Sequence, residues 1–382
     1  MPTLINDLDL PFATFGRSYC GRGCRFLLPE ALSESGQKRI LLIHGNTSFH
    51  QPRVQSLLAQ VDPLIEFVHF TEFPANPQSQ DFERALALFR TSNCDGILAI
   101  GGGTALDLGK LVSAFVGGDM ISEFDDLTLA DENHGWDHIP LVMLPTTSGS
   151  GAEATDFSVL YQQGKKHSFN VGGHSEHQWL SLTDSALSDC MPRQLAACSG
   201  LDALCQAAES LWSKNADAES QDLARQALKL AAENIVAAVI DACPRAGDAM
   251  SRAGHLAGRA INRSKTTAPH ALSYGLSSDY SIPHGHAVAL MFGPVLAINA
   301  RAGNRQSQLV MDILGIESIE TCTDHFKRLI ASLGLSTSLT ELGLHGPGAV
   351  SKLVSGVNQD RLRNNPVELS SHDLRSIYET ML

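Results

Sequence analysis

The two halves of the chain differ in how apolar and polar residues alternate. In the first half, short apolar runs that end in glycine or proline alternate with longer amphipathic stretches. Such runs predict buried strands, and their alternation with helices predicts a parallel sheet covered by helices. The predicted strands are KRILLIHG, EFVHFTEF, CDGILAI and HIPLVMLP, and the predicted helices are residues 54–61, DFERALALFRTSN and TALDLGKLVSAFV.

After about residue 184 the pattern becomes helical, as in AESQDLARQALKLAAENIVAAVIDA, and no strand is predicted there. The predicted fold is therefore an α/β N-terminal domain with a Rossmann-like parallel sheet, followed by an all-α domain. The pattern changes between residues 166 and 189, and we place the domains at 1–185 and 186–382.

Composition narrows the class of protein. A length of 382 residues favours two domains. The net charge of −13 argues against a nucleic-acid surface, although a local pocket can still bind a small anion. No apolar run is long enough to span a bilayer, and the acidic start MPTLINDLDLPF is unlike a secretory signal. Eight scattered cysteines then favour a reduced, cytoplasmic compartment; Cys20 and Cys24 lack a second thiol pair, so ordinary thiols are favoured over a zinc knuckle.

A glycine-rich loop follows the strand CDGILAI directly. Gly101, Gly102 and Gly103 would let the backbone approach a diphosphate, and the next helix would offer free N–H groups to it. Thr104 is predicted to cap that helix and to bind phosphate, and Lys110 is predicted to reach the same ligand. The alternative is a tight turn without a ligand, since the loop lacks the GxGxxG pattern.

A second loop, PTTSGSGAEAT, follows the strand HIPLVMLP. It is rich in glycine and small hydroxyl residues, including Thr146, Thr147 and Ser150. Two such loops at the carboxyl ends of buried parallel strands match the place where open α/β sheets bind ligands. The pair therefore predicts a nucleotide cofactor site.

Both loops resemble those of the iron-containing (group III) alcohol dehydrogenases. That family has GGGS-x-x-D-x-x-K and PTTxGTGSE segments, which read GGGTALDLGK and PTTSGSGAEA here. Further matches are Asn76 followed by Pro77, SGLDALCQAAES against TGxDALxHAxE, and PHALSYGLSSDYSIPHGH against HAxxHxxxxxxxxPHG. The resemblance implies a dehydroquinate synthase-like fold, a nicotinamide cofactor, and a dimer or larger assembly. It adds Asn76 and Asp107 to the cofactor site, and Lys166 is a further candidate there.

The same resemblance implies a divalent metal, with Fe²⁺ favoured over Zn²⁺. The family's ligands are an Asp, a His four residues later and two later His residues, which correspond to Asp202, Gln206, His270 and His284. Gln206 thus replaces an imidazole with a neutral, weaker ligand. It either ligates through its carbonyl oxygen, or holds a water in the gap, or marks a site without metal. For His270 and His284, ligation is favoured over a purely structural role.

Three further residues are candidates for catalysis. Tyr274 stands where the family often has another His, and it either donates a proton or only packs. His286, two residues after His284, is a second polar candidate near the metal. Lys265, together with Arg263, precedes His270 and suggests an acidic or phosphorylated aldehyde; otherwise both are solvated helix charges.

Smaller differences between this sequence and the family's pattern indicate the cofactor preference and the substrate. Gly45, followed by Asn46, stands where the family often has an Asp for the adenosine ribose, and the missing carboxylate favours NADPH over NADH unless Gly45 is only a turn residue. The segments around the two histidines and Gln206 are similar to the phosphonoacetaldehyde reductase branch. We therefore expect reduction of phosphonoacetaldehyde to 2-hydroxyethylphosphonate, with another small alcohol or aldehyde as the alternative. A dehydroquinate synthase-like lyase and a non-catalytic nucleotide-binding protein are the rival classes.

Overall fold

The computed structural model describes residues 10–11, 17–116, 139–162, 165–171 and 179–382. The chain forms two compact units, Met1–Thr147 with Ala152–Cys190, and Ser148–Gly151 with Met191–Leu382. The first unit ends at Cys190, whereas the predicted boundary follows residue 185. The four residues Ser148–Gly151 belong to the second unit, although the sequence pattern placed them with the nucleotide-binding domain.

The first unit is built on a seven-stranded sheet in the order β1-β2-β9-β6-β5-β3-β4, in which every pair except β1–β2 is parallel. An antiparallel hairpin, β7–β8, forms a second sheet. The strands are β1 Leu10–Pro11, β2 Arg17–Cys20, β3 Arg39–His44, β4 Glu66–Phe70, β5 Gly96–Gly101, β6 Leu141–Pro145, β7 Phe157–Gln162, β8 Lys165–Asn170 and β9 Trp179–Thr183. The four predicted strands are confirmed as β3 to β6.

Both faces of the central strands are buried, which explains their continuous apolar runs. On β3, Leu41 and Ile43 belong to one apolar cluster, whereas Ile40 and Leu42 belong to another on the opposite face. The helices of this unit are α1 Leu28–Glu34, α2 Asn46–Phe49, α3 Pro52–Leu58, α4 Ser79–Thr91, α5 Gly103–Phe115 and α6 Ser185–Ser188.

The sheet order creates one change of direction that matters for ligand binding. From β3 the chain places β4 on one side and β5 on the other, so the loops after β3 and β5 leave in opposite directions. Ligands of open α/β sheets bind outside the carboxyl ends of the strands at such a point. In this chain, the loops that begin at Gly45 and Gly101 lie there.

The second unit is helical, and beyond Thr183 the described residues contain no strand. Its helices are α7 Arg193–Trp212, α8 Ala218–Ile240, α9 Pro244–Ser264, α10 Ala268–Tyr280, α11 His284–Arg301, α12 Arg305–Leu314, α13 Cys322–Ser332, α14 Pro347–Ser355, α15 Gln359–Arg363 and α16 Ser371–Glu379. The predicted α/β plus all-α fold is confirmed. Among the described residues, no helix combines the length and apolarity needed to cross a membrane.

Candidate functional site

The two glycine-rich loops meet at the carboxyl edge of the sheet. Gly101 and Pro145 are register partners on β5 and β6, and the Thr146 N–H donates to the Gly101 carbonyl at 2.9 Å. A Cβ on Gly102 would lie 3.5 Å from the Thr147 side chain. At Gly101 a Cβ would come within 2.8 Å of Ala105 Cβ, so glycine is required there for close packing.

Helix α5 begins at this edge and presents its N-terminus to it. Gly102 is the N-cap, so the N–H groups of Gly103 and Thr104 lie in the first turn, where the helix supplies no acceptor for them. The predicted cap is wrong, because Thr104 is inside the helix and its hydroxyl donates to the Ala75 carbonyl at 2.6 Å. The backbone therefore remains the candidate phosphate ligand in this loop.

Lys110 does not face this edge but lies inside the first unit with 0% exposure. Its ammonium donates to the carbonyls of Ala152 at 2.9 Å and Phe157 at 2.5 Å and to the Thr155 hydroxyl at 3.0 Å, and it pairs with Asp107 at 2.9 Å. An ammonium has three hydrogens, so these acceptors use its capacity. Lys110 thus has a structural role in place of the predicted phosphate contact.

Asp107 is the buried partner of that lysine, and its other oxygen accepts the Val159 N–H at 3.1 Å. Burial raises the pKa of Asp107, against the opposing charge and hydrogen bond of Lys110. Lys166, on β8, is a more distant charge that favours the ionised form of Asp107. The predicted cofactor roles of Asp107 and Lys166 therefore gain no support from these contacts.

The loop after β3 forms an open depression of about 490 Å³, lined by Asn46, Thr47, His50, Gln51 and Pro52. Gly45 is extended, with φ −77°, so its backbone would accept any side chain. Asn76 is exposed, and its carbonyl accepts the Gln78 side-chain amide at 3.2 Å. None of the described residues that line the depression carries a carboxylate.

The second unit brings three predicted metal ligands together. One ligand atom from each of Asp202, His270 and His284 lies within 4.8 Å of the others. Asp202 lies in the middle of α7, His270 in the first turn of α10, and His284 is the first residue of α11. The Nε2 atom of His270 is 3.4 Å from an Asp202 oxygen, and the two imidazole rings are 5.3 Å apart.

Gln206 lies one turn after Asp202 on the same helix face and is 4% exposed. Its Nε2 donates to the Ser150 carbonyl at 3.4 Å, which fixes the orientation of the amide. Its Oε1 is then buried and accepts no hydrogen bond from the residues that the structure describes. A buried acceptor without a partner is costly, and a cation beside Asp202 would remove that cost.

The sequence pattern gave no role to Glu209, although it is the final Glu of the matched TGxDALxHAxE segment. Its carboxylate accepts the Nδ1–H of His270 at 2.5 Å. Burial by itself lowers the pKa of His270, but the charges of Glu209 and Asp202 outweigh burial and raise the pKa to about 10. The site is therefore strongly attractive to a cation.

The three predicted catalytic residues, Tyr274, His286 and Lys265, differ from one another in their burial and in their contacts. Tyr274 is half-buried and stacks on His284, with ring centroids 6.1 Å apart. His286 is buried, its Nε2 is 2.7 Å from the Ser336 carbonyl, and burial lowers its pKa. That bond gives His286 a structural contact, and its catalytic role stays a prediction.

Of the two cations before His270, only Lys265 remains a candidate. Arg263 is exposed and its guanidinium binds Asp217 at 2.5 Å, so it is a surface ion pair. Lys265 is half-buried and ends α9 with φ +57° and ψ 169°, and its ammonium donates to the Asn262 carbonyl at 2.8 Å. An ammonium carries three hydrogens, so this bond is compatible with a second contact to a ligand.

Comparison with known proteins agrees with this architecture. Residues 16–181 match the model of the iron-containing alcohol dehydrogenases, and residues 196–382 match the C-terminal model of the same family. The chain is 28% identical over 380 residues to long-chain-alcohol dehydrogenase 1 of Geobacillus thermodenitrificans, covering 95% of this chain and 94% of that protein. It is 34% identical over 254 residues to phosphonoacetaldehyde reductase of Streptomyces viridochromogenes, covering 65% of this chain and 63% of that protein.

Among solved structures, sulfoacetaldehyde reductase from Bifidobacterium kashiwanohense in complex with NAD⁺ superposes with a TM-score of 0.86 at 26% identity, covering 98% of this chain and 99% of that one. The two family models, the strand order and the Asp202, His270 and His284 cluster lead to one conclusion: this chain belongs to the iron-containing alcohol dehydrogenase family of oxidoreductases.

Proposed function

We propose that the chain is a metal-dependent, NADPH-linked aldehyde reductase whose substrate is a small aldehyde with an anionic group, phosphonoacetaldehyde being favoured. The metal dependence is supported above all by one observation, the cluster of Asp202, His270 and His284 beside the buried Gln206 Oε1. One carboxylate, one amide oxygen and two imidazoles form a mixed oxygen and nitrogen donor set. Such a set suits Fe²⁺, which we favour, and also Zn²⁺.

When bound, the metal would supply a Lewis acid that polarises the carbonyl of the aldehyde. The chain's residues would hold it there: Asp202 by its carboxylate, His270 by Nε2, and His284 by an imidazole nitrogen. Gln206 would add its Oε1, because its amide is already oriented by Ser150. This arrangement favours ligation over the other two interpretations of Gln206.

The cofactor would bind at the carboxyl edge of the sheet in the first unit. The N–H groups at the start of α5 would bind the diphosphate, and Thr147 would add a hydroxyl. At the end of β3 an aspartate would repel a 2′-phosphate, whereas Gly45 adds no negative charge to the depression beside Asn46, and its described lining carries none. This difference supports NADPH over NADH.

When bound, the reduced nicotinamide would supply a hydride for the carbonyl carbon, and a group of the protein would supply the proton for the carbonyl oxygen. Tyr274, stacked on His284, is the proposed proton donor. Lys265 is the proposed contact for the anionic group. The similarity to a phosphonoacetaldehyde reductase and a sulfoacetaldehyde reductase supports such a substrate, because both of those aldehydes carry an acidic group.

The test is metal analysis of the purified protein together with NADPH oxidation on phosphonoacetaldehyde, sulfoacetaldehyde and acetaldehyde, before and after chelation. About one metal per chain, with activity lost on chelation and restored by Fe²⁺ or Zn²⁺, is the expected result. A protein that binds no metal and stays inactive after metal is added would refute the proposal and favour the non-catalytic alternative.

The substrate class needs a separate comparison. We expect Lys265→Met to raise the KM of phosphonoacetaldehyde at least about tenfold, the loss of one charge-assisted contact, with little change for acetaldehyde. Arg263→Met is the matched control, because it removes a cation two residues away that is already paired with Asp217. Equal effects of the two variants, or faster wild-type turnover of acetaldehyde, would favour a plain alcohol or aldehyde.

A further inference from the structure

Glu209 is a buried charge that the proposed reaction does not use. It lies on α7 with 0% exposure, on the same face as Asp202, seven residues earlier. Burying a carboxylate is costly unless it is paired and hydrogen-bonded. The residues around Glu209 therefore need to account for its charge as well as for its hydrogen bonds.

Both oxygens of Glu209 are engaged, each with a different part of the same segment. Oε1 accepts the Nδ1–H of His270 at 2.5 Å. Oε2 accepts the Thr267 N–H at 2.7 Å and the Thr267 hydroxyl at 2.9 Å, and that hydroxyl accepts the Trp212 indole N–H at 2.9 Å. One carboxylate thus fixes the ring of His270 and the residue that precedes α10.

The bond to Nδ1 determines which nitrogen of His270 faces the metal site. With its proton on Nδ1, the ring directs Nε2 to the side where Asp202 lies at 3.4 Å. A carboxylate behind a metal-binding imidazole both fixes the tautomer and makes the ring a stronger donor. The charge of Glu209 therefore faces the position of the cation through the ring.

The connection before α10 shows why this segment needs to be held. Lys265 has φ +57° and ψ 169°, a conformation that L-residues rarely adopt. Asn364 donates to the carbonyls of Ser264 at 2.9 Å and Thr266 at 3.0 Å, and Glu209 holds Thr267 directly afterwards. His270 thus follows a strained connection that is held by buried hydrogen bonds.

We propose that Glu209 is the positioning residue of the metal centre, which holds His270 through Nδ1 and the start of α10 through Thr267. This inference rests on the proposed metal-dependent function. Glu209 does not contact the reacting atoms. Its effect is on the geometry and donor strength of one ligand, so metal affinity is the quantity that it controls.

The test compares Glu209→Gln with Thr267→Val. A glutamine is neutral, and its amide cannot accept from both His270 and the Thr267 N–H, because one end is a donor. Thr267→Val removes the hydroxyl, with its bonds to Glu209 and Trp212, but keeps the Thr267 N–H bond and the His270 contact of Glu209, so it is the matched structural control. Dissociation constants for Zn²⁺ and Co²⁺ are measured by competition with a chelator, and the Co²⁺ absorption spectrum reports the ligand geometry.

We expect Glu209→Gln to weaken metal binding by about 10- to 100-fold and to change the Co²⁺ spectrum, while urea unfolding shows that the variant remains folded. Thr267→Val should retain wild-type affinity within about threefold, a smaller loss than that of an outer-shell partner. Equal losses in the two variants, or wild-type affinity in Glu209→Gln, would overturn the inference. If wild-type protein binds neither metal, it is the proposed function that fails.

Discussion

The contact between the first turn of α11 and helix α7 sets the spacing of the metal site, and Gly285→Ala tests it. A Cβ on Gly285 would lie 2.0 Å from the Cys198 carbonyl oxygen and 2.8 Å from Asp202 Cβ. Carbon to carbonyl oxygen contacts are normally at least about 3.3 Å. The two helices would therefore have to separate by about 1.3 Å, since no rotamer change can move a backbone carbonyl.

Such a separation would move His284, the neighbour of Gly285, away from Asp202. Metal bonds to nitrogen and oxygen are about 2.0–2.2 Å long and tolerate changes of about 0.2 Å, so a shift of about 1.3 Å removes one ligand. Overpacking a core also costs about 1–3 kcal/mol of unfolding free energy. We therefore expect Gly285→Ala to remain folded, to bind less than one metal per chain, and to lose at least about 100-fold in kcat/KM.

Two other glycines separate this effect from general destabilisation. On the same helix, a Cβ at Gly293 would lie 2.9 Å from Thr323 Cα, so Gly293→Ala should cost similar stability and keep the metal. Outside its own turn of helix, no described residue lies within 4 Å of the position that a Cβ on Gly348 would take, so Gly348→Ala should not lower stability and should keep the metal. Metal analysis and urea unfolding of all three variants decide the matter. Wild-type metal affinity in Gly285→Ala, or equal metal loss in Gly293→Ala, would refute the reasoning.

Three further predictions concern the first unit. Lys110→Met should lower the unfolding free energy by about 3–5 kcal/mol, because it leaves Asp107 buried without a counter-charge. If the variant instead has unchanged stability in urea and a raised KM for NADPH, the original prediction that Lys110 contacts the phosphate would be supported. Gly45→Asp should reduce kcat/KM for NADPH at least about tenfold relative to NADH, by repulsion of the 2′-phosphate, whereas Gly45→Ala should not; equal effects in steady-state assays would contradict the proposed preference. Burial lowers the pKa of His44 from 6.5 to about 4, so the unfolded chain binds the extra proton and stability falls as the pH drops below 6.5. Between pH 7.5 and 5 this amounts to about 2 kcal/mol, and urea unfolding of His44→Phe should show correspondingly less pH dependence.

The sequence predicted those parts of the fold that local patterns determine. The strands β3, β5 and β6 are buried on both faces, so each appears as a continuous apolar run, whereas the edge strand β4 keeps Glu66 and His69 exposed. The strands β2 and β9 were not predicted, and they pair with each other across about 160 residues of sequence, which no local pattern reveals. The hairpin β7–β8 was also missed, since its second strand, KKHSFN, is mostly polar.

The site residues show the same contrast between features that local sequence determines and features that depend on residues distant in sequence. The motif spacing placed Asp202, His270 and His284 correctly in one cluster, because helical periodicity and the order of motifs determine which faces meet. The spacing of motifs could not show where the ammonium of Lys110 points. Nearly all of α5 is buried, and the acceptors of this ammonium come from residues 152–157, which lie outside the helix. The carbonyl of Ser336, which fixes His286, is likewise 50 residues away in sequence.

One physical criterion separates the polar residues that have structural roles from those that remain available to ligands. The buried ammonium of Lys110 and the Nε2 atom of His286 both bond to carbonyls of the protein, so the fold itself provides partners for these polar groups. The amide of Gln206 is satisfied only at its nitrogen, and its buried oxygen lacks a hydrogen-bond donor among the described residues. Leaving such an acceptor unpaired costs about 1–3 kcal/mol, which a bound cation would offset. The residue that departs from the family's ligand pattern is thus the one whose unsatisfied oxygen most directly argues for a bound cation.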